Sequence, residues 1–249
     1  MAIKIITTAQ SVNKVKVLVY GFAGVGKTRL CATTKNNLIL SAEGGLLSLA
    51  DEDIPVIEIK SMENLNEAFM FLKDSKEAAA YETVSLDSLS DIAEVCLSTA
   101  KAETKDPRQA YGELGDKMSV IIRAFRDLPN HNIYFTAKVK RLTDDFGVTQ
   151  HVPSMPGNML VTALPYFFDE VLALRTAQTE EGTPYSYLQT SRDLYWEAKD
   201  RSGKLDFMEE PNLEKLFNKI RGNKTNGKGG EKKVVEKAAV EKETTTAKK

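Results

Sequence analysis

A chain of 249 residues with 42% hydrophobic and 28% charged side chains has the apolar mass for one sizeable core, and its net charge of −1 excludes a polyelectrolyte that binds nucleic acid through bulk charge. There is no long uncharged apolar run and no apolar segment behind Met1-Ala2-Ile3-Lys4, so neither a membrane span nor a signal peptide is supported and a cytoplasmic protein is expected. The charge is uneven: eight lysines and four glutamates give residues 222–249 a net of +4, so 1–221 carry −5 and any nucleic-acid site there has to be local.

In chain order, residues 3–7 (IKIIT) fit a short edge strand and 11–13 a turn. Residues 15–20 (VKVLVY) have strand composition, the glycines of Gly21-Phe22-Ala23-Gly24-Val25-Gly26-Lys27-Thr28-Arg29 follow at once, and a helical segment opens at Thr28. Strand, loop and helix in that order make a phosphate-binding loop. Gly21, Gly24 and Gly26 let successive N–H groups turn inward around a phosphate, and the start of the helix adds its positive end. Lys27 then reaches the β- and γ-phosphates of ATP and the Thr28 hydroxyl ligates Mg²⁺.

Residues 38–42 (LILSA) read as a second buried strand, which puts Glu43 at a carboxyl end, where open parallel sheets bind ligands. Beside a phosphate loop, Glu43 reads as the base that orients or deprotonates an attacking water rather than as an exposed turn carboxylate. A third strand is expected over 54–59 and a core-facing helix over 62–73. Residues 83–88 (TVSLDS) form a strand interrupted by Ser85 and ending in Asp87, which is placed to hold the magnesium shell; the alternative is that Asp87 or Ser88 caps the helix expected over 89–102. Cys31 and Cys96 sit in segments expected to be helical with no partner at metal spacing, so they read as buried free thiols, and His131 and His151 make no metal constellation.

A second amphipathic helix is expected over 110–128, then a central strand over 132–136 whose Thr136 is either a sensor of the γ-phosphate or an ordinary strand-end hydroxyl. Residues 138–152 suggest a protruding hairpin. Its stem cations Lys138, Lys140 and Arg141 either track a phosphate backbone, with Phe146 or Tyr111 stacking on a base, or mark a charged edge that discourages aggregation. Residues 157–168 fit a helix ending before Pro165, and 171–175 and 185–190 an antiparallel pair at the sheet edge. Lys199 and Arg201 project to one side if extended and reach a γ-phosphate across a subunit boundary, or else form a surface charge cluster. Residues 211–221 are a well-signalled last helix, and 222–249 have the composition of a flexible tail.

The phosphate loop, Glu43 in SAEGG, Asp87 in LDSLSDI, Thr136 on the next strand and Lys199 and Arg201 in KDRSG stand in the order seen in RecA-like ATPases. Over residues 15–221 the chain resembles most the compact bacteriophage members that act in single-strand annealing or recombination. The resemblance implies an α/β RecA-like P-loop NTPase domain over 1–221, with a mostly parallel central sheet flanked by helices and an antiparallel edge hairpin, followed by the tail. It implies Glu43 as catalytic glutamate, Asp87 as magnesium-site acid, Lys199 and Arg201 as a finger completing a neighbour's site, and 137–156 as the region of the DNA-binding loop. The partners it implies are single-stranded DNA, further copies of the chain in a ring or filament, and a single-strand DNA-binding protein, in the cytoplasm of an infected host. A nucleotide-gated loader of phage replication, for which DNA affinity is incidental, is the alternative.

Overall fold

The run 15–20 is apolar throughout because the strand it forms is covered on both faces. The computed structural model describes residues 14–143 and 146–222; the strand expected at 3–7, the turn at 11–13, the hairpin residues Asp144 and Asp145, and the tail beyond Gly222 lie outside the described residues. Strand β1 (Lys16–Gly21) sends Leu18 and Tyr20 into one core and Val17 and Val19 into another, the period-2 alternation of a strand with no wet face.

Strands β2 (Asn37–Ser41), β3 (Val56–Glu58), β4 (Thr83–Asp87), β5 (Asn132–Thr143) and β7 (Glu170–Gln178) run parallel with β1, in the order β7-β1-β5-β4-β2-β3. Strand β8 (Pro184–Gln189) pairs antiparallel with β7, and the two-residue β10 (Met208–Glu209) pairs antiparallel with β8. Strands β6 (Thr149–Pro153) and β9 (Lys199–Asp200) are antiparallel additions to β5 and β7. Helices α1 (Met62–Asp74), α2 (Leu89–Glu103), α3 (Pro107–Arg126) and α4 (Asn158–Ala163) cover the face with Leu18 and Tyr20, and α5 (Leu213–Arg221) covers the other. The fold is the expected α/β one: a mostly parallel sheet, helices on both sides, and an antiparallel hairpin.

Local chemistry sets the helix limits. Ser61, Asp106 and Asn212 each accept a hydrogen bond from a backbone N–H of the first turn of α1, α3 and α5, Pro107 occupies the first position of α3, and α5 ends on Gly222 at φ 77°. Helix α4 stops two residues before Pro165, as the ring requires.

Three boundaries differ from the sequence reading. The helix expected to open at Thr28 is a 3-10 helix, Thr28–Thr33, because the Thr33 hydroxyl turns back onto the Leu30 carbonyl (2.7 Å) and accepts from the Leu213 N–H (2.8 Å), tying its end to α5. Strand β3 starts only at Val56, after Pro55, and lies at the open edge. The hairpin is no separate appendage: β5 runs on past Thr136 to Thr143, pairing with β6 from Val139↔Pro153 to Thr143↔Thr149. The antiparallel β7–β8 pair forms the expected hairpin at the sheet edge, where β10 covers only Leu188 and Gln189 of β8. Cys31 and Cys96 are both buried and free, and among the described residues no helix is long and apolar enough to cross a membrane.

Candidate functional site

Across the sheet from β1 to β2, the carboxyl ends of four neighbouring strands present the loop 21–28, then Thr136 and Lys138 of β5, then Asp87 of β4, then Glu43 just past β2. Register fixes this convergence: Gly21 stands beside Lys138, and Ser41 beside Asp87. The N–H groups of Ala42 and Glu43 donate to the Asp87 carbonyl at 2.8 and 3.4 Å, so the chain leaving β2 is held against the end of β4.

The loop has the backbone a phosphate cradle needs. Gly21 passes so close to β7 that a β-carbon there would lie 2.7 Å from the Leu174 carbonyl oxygen. Gly26 has φ 105° with nothing within 4 Å of where a β-carbon would project, so the turn encloses open space. Lys27 is 9% exposed; its ammonium donates to the carbonyls of Gly21 (3.0 Å) and Phe22 (2.9 Å), which leaves one of its three donors for a ligand. Burial pulls its pKa below the ordinary lysine value, and Glu43 and Asp87 work against that loss of charge. Behind it, the buried Tyr134 hydroxyl donates to the Lys27 carbonyl at 2.8 Å, fixing the backbone at the head of the 3-10 helix.

Asp87, 2% exposed, accepts from the Thr28 hydroxyl at 2.7 Å and from the Thr136 hydroxyl. Ser88, not Asp87, caps α2, accepting from the Asp91 N–H, so the carboxylate of Asp87 is left for the site. Thr28 and Asp87 fit the expected magnesium pair. Among the described residues no group of three or more His, Cys, Asp or Glu could hold a metal, so an ion here would complete its shell from nucleotide oxygens and water, the habit of Mg²⁺. Glu43 is exposed, and its pKa is raised by partial desolvation, then by Asp87 and Asp91, with Lys27 and Lys138 pulling the other way. Arg29 donates to the Ser48 carbonyl at 2.8 Å, bracing the segment that follows Glu43 against the loop.

The remaining residues singled out from sequence separate. Lys138 turns toward α2, with its ammonium 2.6 Å from Asp91 and 3.5 Å from Glu94. Arg141 lies over the ring of Phe22, 5.7 Å from its centroid. The three stem cations therefore do not form one patch; Lys140 alternates with Arg141 along the strand, and Phe146 and Tyr111 are exposed. Lys199 is level with Leu18 and donates to the Pro165 carbonyl; Arg201 pairs with Asp169 at 2.9 Å. Both lie toward the amino end of β1, away from the loop, so neither serves the site of its own subunit.

Phe22 was singled out only as part of the phosphate loop, and the residues that fix it, His151, Trp196 and Arg175, were not singled out for the site. Phe22 packs edge-on against His151 and Trp196, His151 stacks on Trp196 at 4.2 Å, and Arg175 lies over Trp196, which joins the loop to the hairpin. The Tyr20 hydroxyl shares its one proton between the carbonyls of Glu197 (2.6 Å) and His151 (2.9 Å). No local spacing encodes such contacts. Asp91 did leave a signal, the capping-box spacing Ser88-x-x-Asp91 ahead of an apolar run.

A family model described as an AAA domain matches residues 13–202. Two solved structures are similar at low identity. A KaiC-like protein from the archaeon Pyrococcus horikoshii is 14% identical, aligning 70% of this chain with 76% of its own at a TM-score of 0.40. An ATPase from the type III secretion system of pathogenic bacteria is 13% identical, aligning 68% of this chain with 53% of its own at a TM-score of 0.46, so the chain spans about half its length. No curated protein matches the chain.

Proposed function

As a member of the AAA domain family the chain is a P-loop ATPase in its general class, and from that premise we propose that it is a Mg²⁺-dependent ATPase that binds single-stranded DNA as an oligomer and promotes annealing or recombination in phage DNA metabolism. The observation that carries the hydrolytic half is the convergence of Lys27, the Thr28–Asp87 hydrogen bond and Glu43 at adjacent strand ends. Lys27 binds the β- and γ-phosphates, and Thr28 and Asp87 would hold a Mg²⁺ ion, which would neutralise phosphate charge. Glu43 takes the proton of the attacking water as that oxygen bonds to the terminal phosphorus and the bridging P–O bond breaks, releasing ADP and phosphate. Thr136, hydrogen-bonded to Asp87, is placed to register the terminal phosphate. Lys199 and Arg201 of one copy stabilise the charge transferring in the site of the next.

The DNA half rests on the RecA-like order of motifs and on Lys140 and Arg141 in an arm that reaches the phosphate loop through Phe22. One observation favours the loader reading: Lys138 is matched by Asp91 and Glu94, which thins the cations available to a DNA backbone. Turnover of the full chain with and without single-stranded DNA, with molecular mass followed in each condition, separates the two. Stimulation by DNA is expected; hydrolysis indifferent to DNA would leave the loader reading.

A further inference from the structure

Lys138 was grouped with the hairpin cations by sequence proximity, yet its surroundings are those of the nucleotide site. It stands beside Gly21, where the phosphate loop begins, on the strand between that loop and Asp87. It lies two residues past Thr136 on the same strand face, and Thr136 already touches Asp87. Its backbone is pinned on both sides: the N–H donates to Ser90 Oγ (3.0 Å) in the first turn of α2, and the carbonyl accepts from the Ser154 N–H (2.7 Å). A backbone held this way aims the side chain. The ammonium meets Asp91 and, more loosely, Glu94, and its side chain is 42% exposed, so a third donor stays available to a ligand. Burial works against its charge and the two carboxylates more than restore it, while Lys138 in turn acts electrostatically on both Lys27 and Glu43.

We propose that Lys138 is a substrate-contacting cation of its own subunit's nucleotide site, parked on Asp91 and Glu94 and able to turn onto the terminal phosphate of a bound triphosphate. The move exchanges one carboxylate partner for a phosphate oxygen of higher charge, and Asp91 keeps its contacts with Ser88 at the helix end. The inference rests on the reading of the chain as an ATPase and adds a residue that distinguishes triphosphate from diphosphate.

The test compares the affinity for a non-hydrolysable ATP analogue with that for ADP in the full-length wild type, Lys138→Met, Lys138→Arg and Asp91→Asn, in the absence of DNA. Loss of a charge-assisted contact to the terminal phosphate lowers the analogue-to-ADP preference about tenfold in Lys138→Met. Lys138→Arg retains most of it, and Asp91→Asn, which breaks the same ion pair but leaves the cation, keeps or raises it. If the pair is only a brace between α2 and β5, Lys138→Met and Asp91→Asn change both affinities alike and the preference is unmoved, which overturns the inference. Should Lys138→Met not fold, a Lys138→Arg and an Asp91→Asn protein that both lose the preference would overturn it equally. A wild type that neither hydrolyses ATP nor prefers the analogue fails the ATPase reading instead, so the two failures are distinguishable.

Discussion

Asp87 shows how a buried carboxylate becomes useful: it is kept from capping α2 by Ser88, and both partners in the site are neutral hydroxyls that can be exchanged for a cation. Lys27 is in the complementary position, a buried ammonium satisfied by two loop carbonyls and faced by acids. Replacing it by alanine removes the charge nearest the β- and γ-phosphates, and Lys27→Ala is expected to abolish measurable hydrolysis while the thermal midpoint moves little. Glu43 has the more discriminating variant. Glu43→Gln preserves shape and hydrogen bonding but not basicity, so turnover should fall by roughly 10²-fold or more with nucleotide binding retained, as for removal of a general base. Wild-type turnover in that protein, measured by phosphate release, would return Glu43 to the status of an exposed turn carboxylate.

Between elements, the contacts of most consequence are those that no local pattern encodes. The glycine loop, Asp87 and Glu43 were legible because each sits where an apolar strand run stops, and strand ends are written in the periodicity. The phosphate-loop aromatic cluster was not, because Phe22, His151 and Trp196 come from segments far apart in sequence and meet only once β5 is extended into β6. The pairing of Lys138 with Asp91 was not legible for a related reason: one strand carries the lysine, but the helix α2 packed beside that strand decides where it points. Trp196 is the single tryptophan of the chain, so its emission reports on that cluster. Nucleotide titration is expected to give a saturable fluorescence change that falls by more than half in Phe22→Ala; an undiminished change would mean that Phe22 does not link the loop to the hairpin. The β7–β9 junction supplies a pH-dependent counterpart. Glu170 is 2% exposed with one carboxylate oxygen unpartnered, and burial, followed by the neighbouring Asp200, raises its pKa from 4.5 to about 8. The folded chain then holds a proton that the unfolded chain releases, so this contribution to stability is complete below pH 4.5 and is lost as the pH rises through 8. Melting profiles from pH 5 to 9 should fall with pH by a few degrees more in the wild type than in Glu170→Gln, at about 2–4 °C per kcal/mol for a domain of this size. Parallel profiles would mean that Glu170 titrates normally.

At the scale of the whole molecule the phosphate loop and the Lys199–Arg201 pair lie toward opposite ends of the β1 and β7 strands, so the proposed use of both in one reaction would require an assembly of copies. Each cation has a partner within its own chain, Lys199 the Pro165 carbonyl and Arg201 the exposed Asp169, where an ion pair contributes little and is readily exchanged for phosphate. Closed or helical arrays built from head-to-tail contacts would repeat one such junction at every interface. The consequence can be measured by mixing two inactive proteins. Lys27→Ala has a disabled loop but an intact pair of cations, and Arg201→Ala the reverse. In a randomly mixed assembly about a quarter of the interfaces combine the intact loop of one with the intact cations of the other. Turnover should therefore recover to about that fraction of the wild type when equal amounts are combined, and to nothing in either protein alone. Activity in Arg201→Ala by itself, or a mixture as inactive as its components although mass measurements show the copies assembled together, would remove the finger from the mechanism and leave hydrolysis to residues 27, 28, 43 and 87 of a single chain.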